Sequence, residues 1–124
     1  MTTPAPRACD ALVITCMDWR LHPHLSTLLS GHLPGRFDLI SVCGATRSLL
    51  DPSEASAAQF LLTCVGTSRR LHSVSRVVIV HHTDCGASGG AEAFDNEAME
   101  RARHSDDMKA AAELIARSNP MDYY

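Results

Sequence analysis

Three short runs of mainly apolar residues stand out along the chain, at positions 10–16, 37–43 and 76–81. Each has the length of a strand, and several of its apolar side chains are β-branched. Apolar residues follow one another in these runs with little alternation, which is typical of strands buried on both faces of a parallel sheet. Polar or small residues follow each run and predict a turn there. The pattern therefore predicts three buried strands.

Helical patterns fill the gaps between these runs. Residues 23–30 place Leu25, Leu28 and Leu29 on one face, and Gly31 marks the end of this first predicted helix.

A second helix is predicted after Asp51, an N-cap residue type, with Pro52 at the first helical position. Its apolar stripe consists of Ala58, Leu61, Leu62 and Val65. A final helix is predicted from about Ser105 to about Ser118, and Pro120 ends it. The side chains that it buries are predicted to be Met108, Ala111, Ala112 and Ile115.

Alternation of strands and helices predicts an α/β fold with a small, mainly parallel sheet flanked by helices. The length of 124 residues suits a single domain over 1–124. We expect the strand order 2-1-3, with room for further strands at the edges. In such open sheets, functional side chains gather at the carboxyl ends of the strands, where the strand order reverses.

Composition narrows the classes of function. The net charge is −3, so no excess of positive charge favours nucleic-acid or membrane-surface binding. No apolar run approaches the roughly 18 residues of a membrane span, and residues 1–8 lack the apolar core of a signal peptide. We therefore expect a cytoplasmic protein whose thiols are reduced.

Five cysteines and seven histidines in so short a chain indicate a candidate metal-binding site, because zinc prefers these two ligand types. Cys16 ends the first predicted strand, and His82 and Cys85 follow the third. Two thiolates and one imidazole make a sound set of zinc ligands and leave one coordination position. A water in that position would give a nucleophile, whereas a carboxylate would close the site.

Asp18 and Arg20 lie two residues apart, directly beyond Cys16. On an extended segment such side chains point the same way, so an ion pair is expected. Asp18, held by Arg20, could orient a zinc-bound hydroxide. Alternatively, Asp18 could turn away from Arg20 and bind zinc itself.

The other cysteines, Cys9, Cys43 and Cys64, are interpreted as small buried residues. The histidines His22, His24 and His81 are interpreted as solvated or hydrogen-bonded, with a proton shuttle as the functional alternative.

The segments Cys16-Met-Asp18-Trp-Arg20 and His82-Thr-Asp-Cys85-Gly86 resemble the two signature motifs of the β-class carbonic anhydrase family. The resemblance implies that Cys16, His82 and Cys85 bind Zn²⁺ and that Asp18 and Arg20 form a catalytic dyad. It implies a lyase, a carbonate dehydratase, which hydrates carbon dioxide reversibly to bicarbonate by a zinc-bound hydroxide.

Two alternatives stay open: a zinc hydrolase acting on carbonyl sulfide or carbon disulfide, and a non-catalytic zinc-binding protein on the same scaffold. The expected partners are a small-molecule substrate and a second copy in a homodimer or larger homo-oligomer, in which Trp19 is a packing or interface residue. Compared with the family, the short chain predicts a minimal member without the N-terminal helical arm and without a further strand after strand three.

Overall fold

A computed structural model describes residues 7–31, 33 and 35–119, and the backbone of 122–123. The strands are β1 (Ala11–Cys16), β2 (Phe37–Val42), β3 (Arg76–Val80) and β4 (Asp122–Tyr123). The helices are α1 (His22–Ser30), α2 (Ala55–His72) and α3 (Glu97–Ser118). This alternation confirms the predicted α/β fold.

The strands form one parallel sheet in the order β2-β1-β3-β4. The predicted order 2-1-3 is thus confirmed for the first three strands. The prediction that no strand follows strand three was wrong, because Asp122 pairs with Arg76 at the other edge of β3. The long helix α3 carries the chain back along the sheet, so the residues after it run parallel to β3.

β1 is the central element, and all six of its residues are buried. Its side chains alternate between the two faces of the sheet. Leu12, Ile14 and Cys16 belong to the core cluster that α2 and α3 complete, which includes Val65 and Ile115. The other face carries Ala11 and Val13 into a second cluster, with Leu25 and Leu29 of α1.

The prediction that the second strand is buried on both faces was wrong. Within β2, Leu39 is 50% exposed and Val42 is 37% exposed. Among the described strands, β2 pairs only with β1 and therefore forms an edge of the sheet. In α1, Leu25 and Leu29 are buried as predicted, but Leu28 is exposed.

The start of the second helical segment follows the prediction. The Asp51 carboxylate accepts a hydrogen bond from the Ser53 N–H at 2.9 Å, and Pro52 opens a short 3-10 turn that leads into α2. Leu61 and Val65 are buried on the inner face of α2, while Leu62 packs against the same core and is only partly buried.

The third helix begins well before the predicted residue Ser105. The Asn96 side chain accepts a hydrogen bond from the Met99 N–H at 2.9 Å and caps α3 at Glu97. Ala111 and Ile115 are buried as predicted, with Met108 and Ala112 packed beside them. Pro120, the predicted end signal, lies outside the described residues. None of the helices described here is long and apolar enough to cross a membrane.

Candidate metal centre

Cys16, His82 and Cys85 meet at the carboxyl edge of the sheet. Thr15 of β1 pairs with Val80 of β3, so the two strands end side by side. One potential ligand atom from each of the three residues lies within 4.8 Å of the others. The two sulfur atoms are 4.0 Å apart, close to the spacing of about 3.3–3.8 Å between ligand atoms on a tetrahedral zinc ion.

His82 is oriented as a metal ligand would be. Its Nδ1 lies 2.8 Å from the Thr83 carbonyl oxygen. A carbonyl only accepts, so Nδ1 donates its proton to it, and Nε2 is the ring nitrogen whose lone pair could bind a metal ion. That Nε2 is buried and has no hydrogen-bond partner among the described residues. A bound cation would satisfy it, and a backbone carbonyl on the other nitrogen is a frequent orienting contact of ligand histidines.

The two cysteines are nearly fully buried, with 5% of Cys16 and 4% of Cys85 exposed. Burial raises the pKa of the Cys85 thiol, and the neighbouring Cys16 raises it further. The N–H groups of Ala87 and Ser88 point at Cys85 and oppose this shift without cancelling it. Thiolates here therefore need a nearby cation, and together with His82 these residues could hold a metal ion.

Asp18 faces Arg20 and borders the Cys16–His82–Cys85 cluster. Arg20 Nη2 donates to Asp18 Oδ2 at 2.6 Å and Arg20 Nε donates to Asp18 Oδ1 at 3.0 Å. These bonds hold the pKa of the Asp18 carboxyl well below its usual range. Asp18 Oδ2 also lies 3.9 Å from His82 Nε2. Of the two arrangements expected for Asp18, the structure shows the ion pair with Arg20.

Asp84 lies between His82 and Cys85 in the turn after β3, and no role was predicted for it. Its Oδ2 accepts a hydrogen bond from Arg20 Nη1 at 2.8 Å, and its backbone oxygen accepts one from Nη2 at 2.9 Å. The Ala91 N–H and then Arg20 hold the pKa of Asp84 below its usual value. Arg20 thus joins the turn after β1 to the turn after β3.

Two buried polar residues of α3 contact the turn after β3. Neither was predicted to be buried, because both precede Ser105, where this helix was predicted to begin. Glu100 is 3% exposed, and its Oε2 accepts the Asp84 N–H at 2.7 Å. His104 is 6% exposed and contacts His81, with 3.1 Å between the two Nδ1 atoms. Asn96, followed by two acidic residues in the first turn, was the sequence signal for the earlier start.

His81 is hydrogen-bonded, as predicted. Its Nε2 lies 2.9 Å from Thr46 Oγ1, so both ring nitrogens have partners. Burial, and then the nearby His104, lower the pKa of His81 to about 4. A neutral ring bonded on both sides offers little support for the proton-shuttle alternative at this residue. His22 and His24 are exposed, as expected for solvated histidines.

The other cysteines are less buried than expected. Cys43 is exposed because it follows the edge strand β2, and Cys9 and Cys64 are only partly buried. Trp19 is 78% exposed, so it packs on little within its own chain. Its predicted role at an interface stays a prediction.

A parallel α/β sheet with two cysteines and a histidine gathered at its carboxyl edge defines a class of α/β proteins suited to binding a metal ion. Within that class, residues 7–121 match the sequence profile of a family described as "Putative carbonic anhydrase". The chain belongs to this carbonic-anhydrase-like family, which confirms the resemblance seen in the two motifs.

Two curated relatives come from Rickettsia. "Uncharacterized protein RC0076" of Rickettsia conorii is 26% identical over 115 residues, covering 90% of this chain and 62% of the relative. An "Uncharacterized protein" of Rickettsia bellii is 23% identical over 115 residues, covering 90% of this chain and 70% of the relative. The chain thus spans about two thirds of the length of these relatives.

Proposed function

We propose that the protein is a zinc enzyme that hydrates carbon dioxide reversibly to bicarbonate, with Cys16, His82 and Cys85 as the zinc ligands. The observation that carries this proposal is the buried Nε2 of His82, which lies beside two buried thiols and has no hydrogen-bond partner in the part of the chain that the structure describes. Membership of the carbonic-anhydrase-like family supports the choice of reaction. Zinc is the divalent ion that most often combines cysteine and histidine ligands.

Three protein ligands leave a fourth position open, and zinc held here would lower the pKa of a water molecule in that position to about 7. The overall reaction balances as carbon dioxide plus water giving bicarbonate and a proton. One C–O bond forms as one C=O π bond of carbon dioxide and one O–H bond of the water break, and the proton leaves to solvent or buffer. The described residues contribute ligands, an acceptor for the attacking water and the scaffold that holds both.

Asp18 is the residue that we propose to orient the attacking water. Its pKa is lowered by Arg20, so it is ionised at neutral pH and can only accept hydrogen bonds. Its Oδ2 lies 3.9 Å from His82 Nε2, which places the acceptor at the border of the cluster. Accepting the water's hydrogen would aim an oxygen lone pair at the substrate carbon.

Arg20 is proposed to keep Asp18 in this position. Its guanidinium binds both Asp18 oxygens and is itself anchored on Asp84, so the carboxylate cannot readily turn toward the ligands. This anchoring favours an open fourth position over a site closed by Asp18.

The test is stopped-flow measurement of carbon dioxide hydration by the zinc-loaded chain, followed with a pH indicator from pH 7 to 9. We expect a zinc-dependent rate that Cys16→Ser abolishes together with metal content. Asp18→Asn should lower the rate by about 10–100-fold while retaining zinc. A loaded protein with no rate above buffer would overturn the proposal. Release of hydrogen sulfide from carbonyl sulfide or carbon disulfide would then identify the hydrolase alternative.

We also propose a homodimer or larger homo-oligomer. Among the described strands, β2 has one partner, and its exposed apolar residues Leu39 and Val42 lie on an open sheet edge, which favours pairing or covering. Trp19 and Met17 are exposed beside the candidate metal centre and would add apolar contact area. Light scattering coupled to size-exclusion chromatography tests this: a monomer at all concentrations would contradict it.

A further inference from the structure

A second group of metal-ligand residues lies at the opposite edge of the sheet. Cys9, Asp38 and His72 each offer a ligand atom within 4.8 Å of the other two. Cys9 precedes β1, Asp38 is the second residue of β2 and His72 ends α2. Cys9 and Cys16 are separated by the length of β1, roughly 20 Å for an extended segment, so the two groups are independent.

We propose that Cys9, Asp38 and His72 form a second binding site for a divalent transition-metal ion of the zinc type. A thiolate, an imidazole and a carboxylate are the three side-chain donors that zinc uses in proteins. Three such donors leave a fourth position for water or a ligand. Nothing in the proposed reaction requires these residues, so this inference stands apart from the proposed function.

The backbone already holds the three donors together. The Cys9 N–H donates to the His72 carbonyl oxygen at 3.0 Å, which ties the segment before β1 to the end of α2. Beside it, the Asp10 N–H donates to the Arg36 carbonyl oxygen at 2.8 Å, and the Arg36 N–H donates back to Asp10 Oδ2 at 2.8 Å. These bonds hold the segment that precedes β1 against the segment that precedes β2.

The Asp38 carboxylate contacts both a proposed co-ligand, His72, and a buried hydroxyl that fixes its orientation. His72 Nδ1 lies 2.7 Å from Asp38 Oδ2, and the hydroxyl of Ser68 donates to the same oxygen at 2.6 Å. Ser68 is 7% exposed, so a buried group outside the donor set orients the carboxylate. A bound ion would take the place of the proton between His72 and Asp38. This pair would then open from 2.7 Å to the roughly 3.3 Å between ligand atoms on a tetrahedral zinc ion, while the Cys9 sulfur would move closer to both.

The site is also open enough for an ion to enter. The side chains of His72 and Asp38 are 39% and 30% exposed, and Cys9 is partly buried. Side chains that are partly exposed can move over this distance without repacking the core, because the backbone segments that carry them are already joined. An ion bound here would link the segment before β1 to β2 and to the end of α2.

The experiment is zinc stoichiometry of the full-length chain after chelator stripping, reloading and removal of free metal, measured by elemental analysis. The wild type should bind about two ions, and Cys16→Ser/Cys85→Ser should bind about one. Adding Cys9→Ser to that double variant should abolish binding. Cys64→Ser, which removes a partly buried cysteine outside both groups, is the matched control and should leave the stoichiometry unchanged.

Cobalt spectra provide a second readout that separates the two sites. One thiolate belongs to the proposed second site, so the Co²⁺-loaded Cys16→Ser/Cys85→Ser variant should keep a thiolate charge-transfer band that Cys9→Ser removes. If far-UV circular dichroism shows that this double variant does not fold, His72→Gln and Asp38→Asn in the wild type should each lower the count from two to one. A wild-type count, whether one or two, that Cys9→Ser and His72→Gln leave unchanged would overturn this proposal. Neither result depends on whether the first site is catalytic.

Discussion

Arg20 and Asp84 join the two sequence motifs at the carboxyl edge of the sheet. Arg20 Nη1 donates to the Asp84 carboxylate at 2.8 Å, while Nη2 donates to the Asp84 backbone oxygen at 2.9 Å. The same guanidinium binds both oxygens of Asp18. A side chain that is itself anchored at two points holds its partner more firmly than a simple ion pair would, which makes Arg20 the central positioning residue of the proposed site.

Arg20→Lys should therefore damage the site although it keeps the charge. An ammonium group cannot reproduce the planar fork of the guanidinium, so the contacts to Asp18 and Asp84 cannot all be retained. We expect the rate of carbon dioxide hydration to fall by about 10–100-fold, with zinc content unchanged. Arg101→Lys, at an exposed ion pair of α3, is the control and should keep the full rate. An Arg20→Lys enzyme of normal activity would contradict this role.

Glu100 should contribute to stability through the Asp84 turn. It is buried and accepts the Asp84 N–H at 2.7 Å. Glu100→Ala leaves that N–H without its partner and should lower the free energy of unfolding by about 1–3 kcal/mol. Glu100→Gln keeps an acceptor oxygen and should cost less.

Urea unfolding measures both variants, and Glu97→Ala provides a control at an exposed position of the same helix turn, where a change within about 0.5 kcal/mol is expected. Equal losses in Glu100→Ala and Glu97→Ala would show that the buried contact does not support the turn.

Metal removal should destabilise the fold at the carboxyl edge. Cys16, His82 and Cys85 come from two strand ends, so an ion bound to all three favours the folded chain. In the Cys9→Ser background, which excludes the second proposed site, free zinc at about 1,000 times its dissociation constant should raise the free energy of unfolding by about 4 kcal/mol. Thermal unfolding with and without chelator measures the difference, and addition of Cys16→Ser should remove it.

The sequence predicted which residues gather at the candidate metal centre better than it predicted the rest of the fold. Cys16 ends β1, and His82 and Cys85 lie in the turn after β3. Parallel strands bring their carboxyl ends together whatever the surrounding detail. Burial of β2 was mispredicted for a physical reason. Its apolar run resembles that of β1, but exposure depends on position in the sheet, and a local pattern does not encode which strand lies at an edge.

Contacts that span long sequence separations were also missed. Glu100 and His104 are polar residues in the sparsely apolar first half of α3, so periodicity gave no reason to place them inside. Their burial follows from the partners Asp84 and His81, which only the folded chain brings near. The Cys9–Asp38–His72 group has the same origin, because it gathers three segments that no motif connects.

Gly44 is the residue whose replacement should disturb the carboxyl edge most directly. It follows β2 with a φ of +71°, a conformation that side-chain-bearing residues rarely adopt. A Cβ there would lie 2.8 Å from Ala87 Cβ and 2.9 Å from Arg47 Cβ. Ala87 belongs to the turn after β3, which also carries Cys85. If the turn after β2 and the turn after β3 moved apart to relieve this contact, a proposed zinc ligand would move with them.

Gly44→Ala should therefore lower the free energy of unfolding by about 1–3 kcal/mol and weaken zinc binding as well. Gly31→Ala is the matched control: Gly31 has a φ of −79°, and none of the described residues comes within 4 Å of the added Cβ. Chemical unfolding and competitive zinc titration measure the two effects. A loss of stability with unchanged zinc affinity would show that the turn after β2 and the metal centre are not mechanically linked, whereas losses of both in Gly44→Ala alone would establish the link.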